Sequence, residues 1–255
     1  MRILITNDDG IQSPGLEAMV KVLHKEHEVI VAAPASQQSA KAHAITVRER
    51  LYVEEYAPLQ EAYGIKALAI SGTPADTVKL YVEGIIQRNP ALKPDLVISG
   101  INDGSNVGTD ILYSGTIGAA TEGYVQGVNG LAVSLDYNAE YDFEVVAKEI
   151  AARLHLLFPV GCGKTLLNIN FPKRLAQQPK LLWCRQGVRD YANAYQPHHD
   201  ENGRLYYVVG GGPLDGGNPE DTDVMVTLAG NIAVTPLQLE RTKYENLCPG
   251  TELNM

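Results

Sequence analysis

Arg2-Ile3-Leu4-Ile5-Thr6-Asn7-Asp8-Asp9-Gly10, then Ser13-Pro14-Gly15-Leu16, then Val29-Ile30-Val31-Ala32-Ala33-Pro34 is the stretch that decides the fold. Residues 2–6 are apolar and β-branched and stop at a polar Asn-Asp-Asp-Gly, the pattern of a buried strand running into a loop. Ser13 suits an N-cap, Pro14 suits the first helical position, and Glu17 follows in the first turn. Leu16, Met19, Val20 and Leu23 then keep helical spacing. Residues 29–34 read as a second buried strand. Strand, helix, strand at this spacing is a βαβ unit and predicts a parallel sheet.

Outward from this unit the alternation continues. Continuous apolar runs predict strands at 67–70, 95–99, 131–135 and 165–171, and periodic segments predict helices at 74–86, 116–125 and 142–157. The fold class is therefore α/β, a Rossmann-like, doubly wound, mostly parallel sheet with helices on both faces. After Pro172 the texture changes to Gly, Pro, Tyr and charged residues, with Tyr191, Tyr195, Tyr206 and Tyr207 among them. Residues 204–209 read as an extended strand, and the segment as a β-hairpin arm of the kind that joins protomers. Residues 232–234 and 237–241 suggest a return to the main sheet. The expected division is a catalytic core at 1–172 and a C-terminal arm region at 173–255.

The 255 residues are 45% hydrophobic and 20% charged, an ordinary globular composition. Net charge of −9 and a pI near 5.2 leave no basic footprint for long nucleic acid. A small phosphorylated substrate remains compatible, because a metal and helix N-termini supply local positive potential. Cys162, Cys184 and Cys248 are far apart and form no C-x-x-C, so each reads as a reduced thiol. No signal-peptide core is evident near the N-terminus, and no apolar run approaches the roughly 20 residues that span a bilayer. No membrane partner is expected, and the expected location is cytoplasmic.

Several loops could carry chemistry. Asn7-Asp8-Asp9-Gly10 stands where the first parallel strand ends, the place at which open α/β sheets bind ligands. Its adjacent carboxylates repel each other unless protons or a hard cation compensate. Taken alone the segment also suits an ordinary polar turn. A second segment, Ser99 to Gly108, follows another buried strand, carries Gly100, Gly104 and Gly108 at fourfold spacing, and offers Asn102 as a neutral oxygen ligand. Tyr113-Ser114-Gly115-Thr116 leads directly into a helix, whose free N–H groups and two hydroxyls make a phosphate cradle. Ser36-Gln37-Gln38-Ser39 follows the second strand, and Ser39 suits either a coordination sphere or phosphate. Asp76 suits a helix cap as well as a substrate contact. Gly161-Cys162-Gly163-Lys164-Thr165 mimics a P-loop, but Phe158 stands where that motif requires Gly and a strand follows. No histidine pair has zinc-site spacing; His198-His199 reads as a surface pair, and only His43, near Ser39, merits attention.

Together these segments resemble the SurE (survival protein E) nucleotidase family. The resemblance rests on residues 7–10, Ser71-Gly72-Thr73-Pro74-Ala75-Asp76, Ser99-Gly100-Ile101-Asn102, Tyr113-Ser114-Gly115-Thr116, and later Thr222-Asp223 and Thr235-Pro236-Leu237. It spans nearly the whole chain. It implies a Rossmann-like core with a swapped C-terminal arm, assembled as homodimers or homotetramers. It also implies 5′- and 3′-nucleotidase activity on nucleoside monophosphates with one divalent ion, Mg²⁺ or Mn²⁺, per subunit. Carried over by motif, Asp8, Asp9, Ser39 and Asn102 are the implied metal ligands, Asp8 and Asp9 the catalytic carboxylates, and Asn106, Ser114, Gly115 and Thr116 the phosphate site. Two positions depart from the family pattern: Thr77 replaces a usual Cys, and Ala40 a common Gly. The alternatives are a haloacid-dehalogenase-like phosphatase, which wants Asp-x-Asp where this chain has adjacent aspartates, and a non-catalytic nucleotide sensor, which has no use for two carboxylates beside phosphate. A third is a structural assembly protein acting through its arm.

Overall fold

The structure, a computed structural model, describes residues 1–161 and 163–242. Strand β1 (Arg2–Thr6) leads into α1 (Pro14–Leu23), then β2 (Glu28–Pro34), β3 (Val53–Glu55), α2 (Ala57–Tyr63) and β4 (Lys66–Ile70). Helix α3 (Pro74–Lys79) continues as a π turn over Leu80–Ile85, followed by β5 (Leu96–Asp103), a 3₁₀ turn (Gly108–Leu112) and α4 (Gly115–Val125). Next come β6 (Asn129–Leu135), α5 (Phe143–Leu157), β7 (Leu166–Phe171) and β8 (Leu181–Trp183). The short strands β9 (Asp190–Ala192), β10 (Tyr195–His199), β11 (Leu205–Val209) and β12 (Gly212–Leu214) precede α6 (Asp223–Leu228) and β13 (Ile232–Leu237).

Among the described residues nine strands form one sheet in the order β3-β4-β2-β1-β5-β6-β7-β13-β8. From β4 to β7 every pairing is parallel, as the βαβ reading requires. Strand β3 pairs antiparallel with β4, and β13 runs antiparallel to β7 while carrying β8 parallel on its outer side. The chain starts at the centre, winds outward through β2 and β4, then returns to β5 and winds the other way. The order reverses between β1 and β5, so the crevice beyond their carboxyl ends is the topological switch point.

The core follows from the apolar runs. β1, β2 and β5 to β7 are nearly continuous buried segments, as strands covered on both faces must be. Leu16, Met19, Val20 and Leu23 of α1 pack on one face with Val146, Ile150 and Leu154 of α5. Val78, Tyr81 and Val82 cover the other face against Leu4, Ile30 and Val97.

Some expectations shift in detail. The helix read at 74–86 changes from α to π geometry at Leu80, where Gly84 weakens the α ladder by about 1 kcal/mol relative to Ala. Residues 53–55 and 57–63, without strong periodicity, form β3 and α2. Helix α6 was hidden in the Gly-rich stretch before β13. The expected return to the sheet is a single strand, Ile232–Leu237, and residues 238–241 lie outside it. The hairpins are two separate ribbons, β10-β11 and β9-β12. Cys184 is buried and unpaired, while Cys162, Cys248 and the rest of the arm region from residue 243 lie outside the described residues.

Candidate active site

Three loops meet at the switch point. The first leaves β1 as Asn7-Asp8-Asp9-Gly10 and is folded by its own polar groups. Asn7 Nδ2 donates to the Gly10 carbonyl and to Ser13 Oγ, both at 2.8 Å, while Ser13 caps α1 by accepting the Leu16 N–H at 3.2 Å. Gly10 has φ +96°, and a Cβ there would lie 3.2 Å from the Ser36 backbone, so glycine is required. The second loop is pinned to the first by the Gln38 N–H, which donates to the Asp8 carbonyl at 2.7 Å. The third leaves β5, where the pairing with β6 shifts register between Ser99 and Asn102. Such a shift re-aims side chains, and Asn102 lines the cleft.

The loops enclose an open cleft of about 240 Å³ lined by Asp8, Asp9, Ser39, Asn102, Asn106 and Ser114. Six of the eight residues singled out from sequence therefore share one wall. Gly115 and Thr116 stand directly behind Asp8. A Cβ on Gly115 would come within 2.9 Å of the Asp8 Cβ, so the helix can approach the carboxylate only because this residue is glycine. The Thr116 hydroxyl donates to Asp8 Oδ1, and its backbone N–H also supports that carboxylate.

Asp8 is buried, Asp9 half-buried and Ser39 exposed on the rim. Burial pushes the Asp8 carboxyl up to about 6; the Thr116 hydrogen bond opposes the rise and repulsion from Asp9 adds to it. Burial also raises Asp9, whose Oδ2 accepts the Asp103 N–H at 3.2 Å. Among the described residues the lining side chains include four carboxylates, Asp8, Asp9, Asp103 and Asp110, and no Lys, Arg or His. Asn102 spends its Nδ2 on the Gly104 carbonyl at 2.7 Å, which leaves its side-chain oxygen for the cleft.

Asn106 rests on a buried amide lattice. Its N–H donates to Asn170 Oδ1 at 2.7 Å, and its carbonyl accepts from Asn168 and Asn170 at 2.8 and 3.0 Å. Its Nδ2 reaches Ser134 Oγ at 2.9 Å and Thr116 Oγ1 at 3.5 Å. Sequence reading missed this support, although two asparagines at period two within the apolar strand Leu166-Leu167-Asn168-Ile169-Asn170-Phe171 were the available signal. It also missed Arg189, which reaches this loop from β9's approach and donates to Ser105 Oγ at 3.2 Å.

The remaining candidates resolve differently. Asp76 forms a capping box with Thr73 and accepts the Thr46 N–H and hydroxyl at 2.8 and 2.6 Å, so it fixes α3 and the 46 loop. Thr77 and Thr6 pair their buried hydroxyls at 2.8 Å. Ala40 has φ +56°, left-handed backbone that glycine adopts more readily. His43 pairs with Glu122 at 2.8 Å and lines a neighbouring cavity of about 670 Å³. His198 stacks on Tyr206 in the exposed β10-β11 ribbon.

The fold and the cleft define a doubly wound α/β protein with an oxygen-rich site at its switch point, backed by the N-terminus of α4. The chain belongs to the Survival protein SurE family, whose sequence model matches residues 3–193. It is 42% identical over 248 residues to the 5′-nucleotidase SurE of Syntrophomonas wolfei, covering 96% of this chain and 91% of that one. It is 44% identical over 248 residues to the 5′-nucleotidase SurE of Solidesulfovibrio magneticus, covering 94% and 92%. Among solved structures, the SurE protein from Aquifex aeolicus superposes with a TM-score of 0.80 at 33% identity, covering 96% of both chains.

Proposed function

We propose that this chain is a divalent-metal-dependent phosphomonoesterase that hydrolyses nucleoside 5′-monophosphates, and 3′-monophosphates, to nucleoside and phosphate. The observation that carries the reading is the placement of Asp8 and Asp9 in one cleft with the polar groups of Asn106 and Ser114. The relatives named 5′-nucleotidase SurE supply the substrate class.

The donor set fits a hard cation. Two adjacent carboxylates, raised by burial and without a cationic side chain in the lining, need a countercharge. Asp8, Asp9, Asn102 and Ser39 would hold it. Among the described residues no group of three His, Cys, Asp or Glu side chains is placed for a metal, so the set relies on neutral oxygens, which suits Mg²⁺ or Mn²⁺ better than zinc. When bound, such an ion polarises the phosphoryl group and offsets its charge.

The chain's own groups do the rest. Ser114 Oγ accepts the Ile117 N–H at 3.2 Å, which leaves its proton for a phosphoryl oxygen. The Gly115 N–H, in the first turn of α4, has no intrahelical acceptor and adds a second donor. The 3.5 Å contact from Asn106 Nδ2 to Thr116 is long enough to be exchanged for a phosphoryl oxygen. Thr116 holds Asp8 by Oδ1, which leaves Oδ2 to take a proton from attacking water or to attack phosphorus.

The β10-β11 ribbon supports homo-oligomerisation, because all its residues are exposed and Tyr195, Tyr207 and Val209 present a continuous apolar surface. Among the described residues no helix is long and apolar enough to cross a membrane, and a cytoplasmic location completes the reading.

Phosphate release from a panel of nucleoside monophosphates, with Mn²⁺, Mg²⁺ or EDTA, tests the proposal. The expected outcome is metal-dependent release that both EDTA and Asp8→Asn abolish. Nucleotide binding without turnover under any metal would instead make the chain a sensor.

A further inference from the structure

We propose that Arg189 is a positioning residue for this reaction, acting through the phosphate-side loop by neutralising Asp110 and fastening Ser105. The inference rests on the phosphatase reading of the cleft. Among the described residues the cleft presents four carboxylates and no basic side chain to a substrate that is itself an anion. Asp8 and Asp9 have a role for their charge. Asp110, on the far side of the Asn106 loop, has none in the reaction and would repel a phosphoryl group.

Arg189 stands immediately behind that wall. Its side chain is only 11% exposed. It grips Asp215 through Nε at 2.8 Å and Nη2 at 3.2 Å, and presents Nη1 to Ser105 Oγ at 3.2 Å and to Asp110 Oδ2 at 3.6 Å. Ser105 and Asp110 flank Asn106, so one guanidinium holds both ends of the segment that offers the Asn106 amide. The Tyr191 hydroxyl donates to Asp110 Oδ2 at 2.6 Å, which fixes the carboxylate further.

Backbone contacts carry the same connection. The Arg189 N–H donates to Thr109 Oγ1 at 3.2 Å, and that hydroxyl donates to the Arg189 carbonyl. Gln186 Nε2 donates to the Gly108 carbonyl at 2.9 Å. Asp223 accepts the N–H groups of Gly108 and Gly187 at 2.9 and 2.8 Å, tying the loop and the segment that leads into β9 to one buried carboxylate. A planar fork serving three partners is a role that lysine cannot reproduce.

The test compares wild type, Arg189→Met, Arg189→Lys, Asp110→Asn and the Arg189→Met/Asp110→Asn pair. KM and kcat are measured on a nucleoside monophosphate with Mn²⁺, and the Kd of inorganic phosphate is measured by calorimetry on the full chain. Loss of a charge-assisted contact predicts that Arg189→Met raises KM and the phosphate Kd by roughly tenfold, with kcat changed less than about threefold. Removing the Asp110 carboxylate in the double variant should lower both constants again, leaving the part that comes from the lost Ser105 contact. Arg189→Lys, which keeps the charge, should give a smaller rise and covers the case in which the methionine variant fails to fold. Unchanged KM and phosphate Kd in Arg189→Met would overturn the proposal. So would a KM rise in Arg189→Met that Asp110→Asn does not lower at all. Wild-type turnover separately decides the phosphatase reading, and the phosphate Kd tests Arg189 even where nucleotides are not turned over.

Discussion

Asp8 concentrates the electrostatic tension of the site. Its carboxyl is held near 6 by burial, against an ordinary 3.8, so in the metal-free protein its ionisation works against folding by about 3 kcal/mol. A raised folded-state value means that the protonated group's favourable contribution is complete below the unfolded value near 3.8. It is lost as pH rises through 6. The stability of wild type relative to Asp8→Asn, measured by urea denaturation in EDTA, should therefore fall between about pH 4 and pH 7. A difference that stays flat with pH would show that Asp8 ionises freely. Asp8 and Asp9 could be singled out in sequence only together with segments 99–108 and 113–116, because alone Asn-Asp-Asp-Gly also suits a polar turn. The structure brings these segments to one cleft. Arg189 was not legible, since its partners Ser105, Asp110 and Asp215 are 84, 79 and 26 residues away and no local spacing announces them.

Among the elements, α3 shows how a cap and a candidate ligand are separated. Ser-Gly-Thr-Pro-Ala-Asp could serve either purpose in sequence, because both need an exposed oxygen at a helix start. In the structure Asp76 is buried and its oxygens accept from Thr73 and Thr46. Asp76→Ala should destabilise the protein by roughly 2 to 4 kcal/mol, through lost caps and orphaned donors, with KM changed little. A tenfold KM increase in a variant of near-normal stability would instead assign Asp76 to substrate. Strands β1, β2 and β5 to β7 were readable because burial on both faces forces continuous apolar runs. β3 and α2 escaped because they are short and mostly exposed, so little periodicity is imposed on them.

For the whole molecule, the ribbon and the site are joined in one segment but separable. Ala194 and Gly210 close the base of the β10-β11 ribbon through a backbone bond of 3.0 Å. Excising residues 195–209 and linking these two positions should lower the oligomeric state, read by light scattering, while leaving the Arg189 and Asp223 contacts in place. An unchanged number of subunits per particle would overturn the proposal that the ribbon joins protomers. The ribbon's exposure was legible from its tyrosines, whereas its register and its partner ribbon β9-β12 depend on pairings that local pattern does not encode.

The insertion of β13 between β7 and β8 also dictates an order of assembly. Strands β4, β2, β1, β5, β6 and β7 can pair once residue 171 is available, but among the described residues β8 pairs only with β13 and so waits for residues 232–237. Pulsed hydrogen exchange during refolding should accordingly protect Leu96–Ser99 before Ile232–Val234; simultaneous protection would mean that the sheet closes as one unit. Asp223 lies just ahead of that last strand and secures the Gly108 amide. A nascent chain would thus carry its aspartates, folded and acidic, well before the loop opposite them is fastened, and competence would arrive only once residue 223 has emerged and docked.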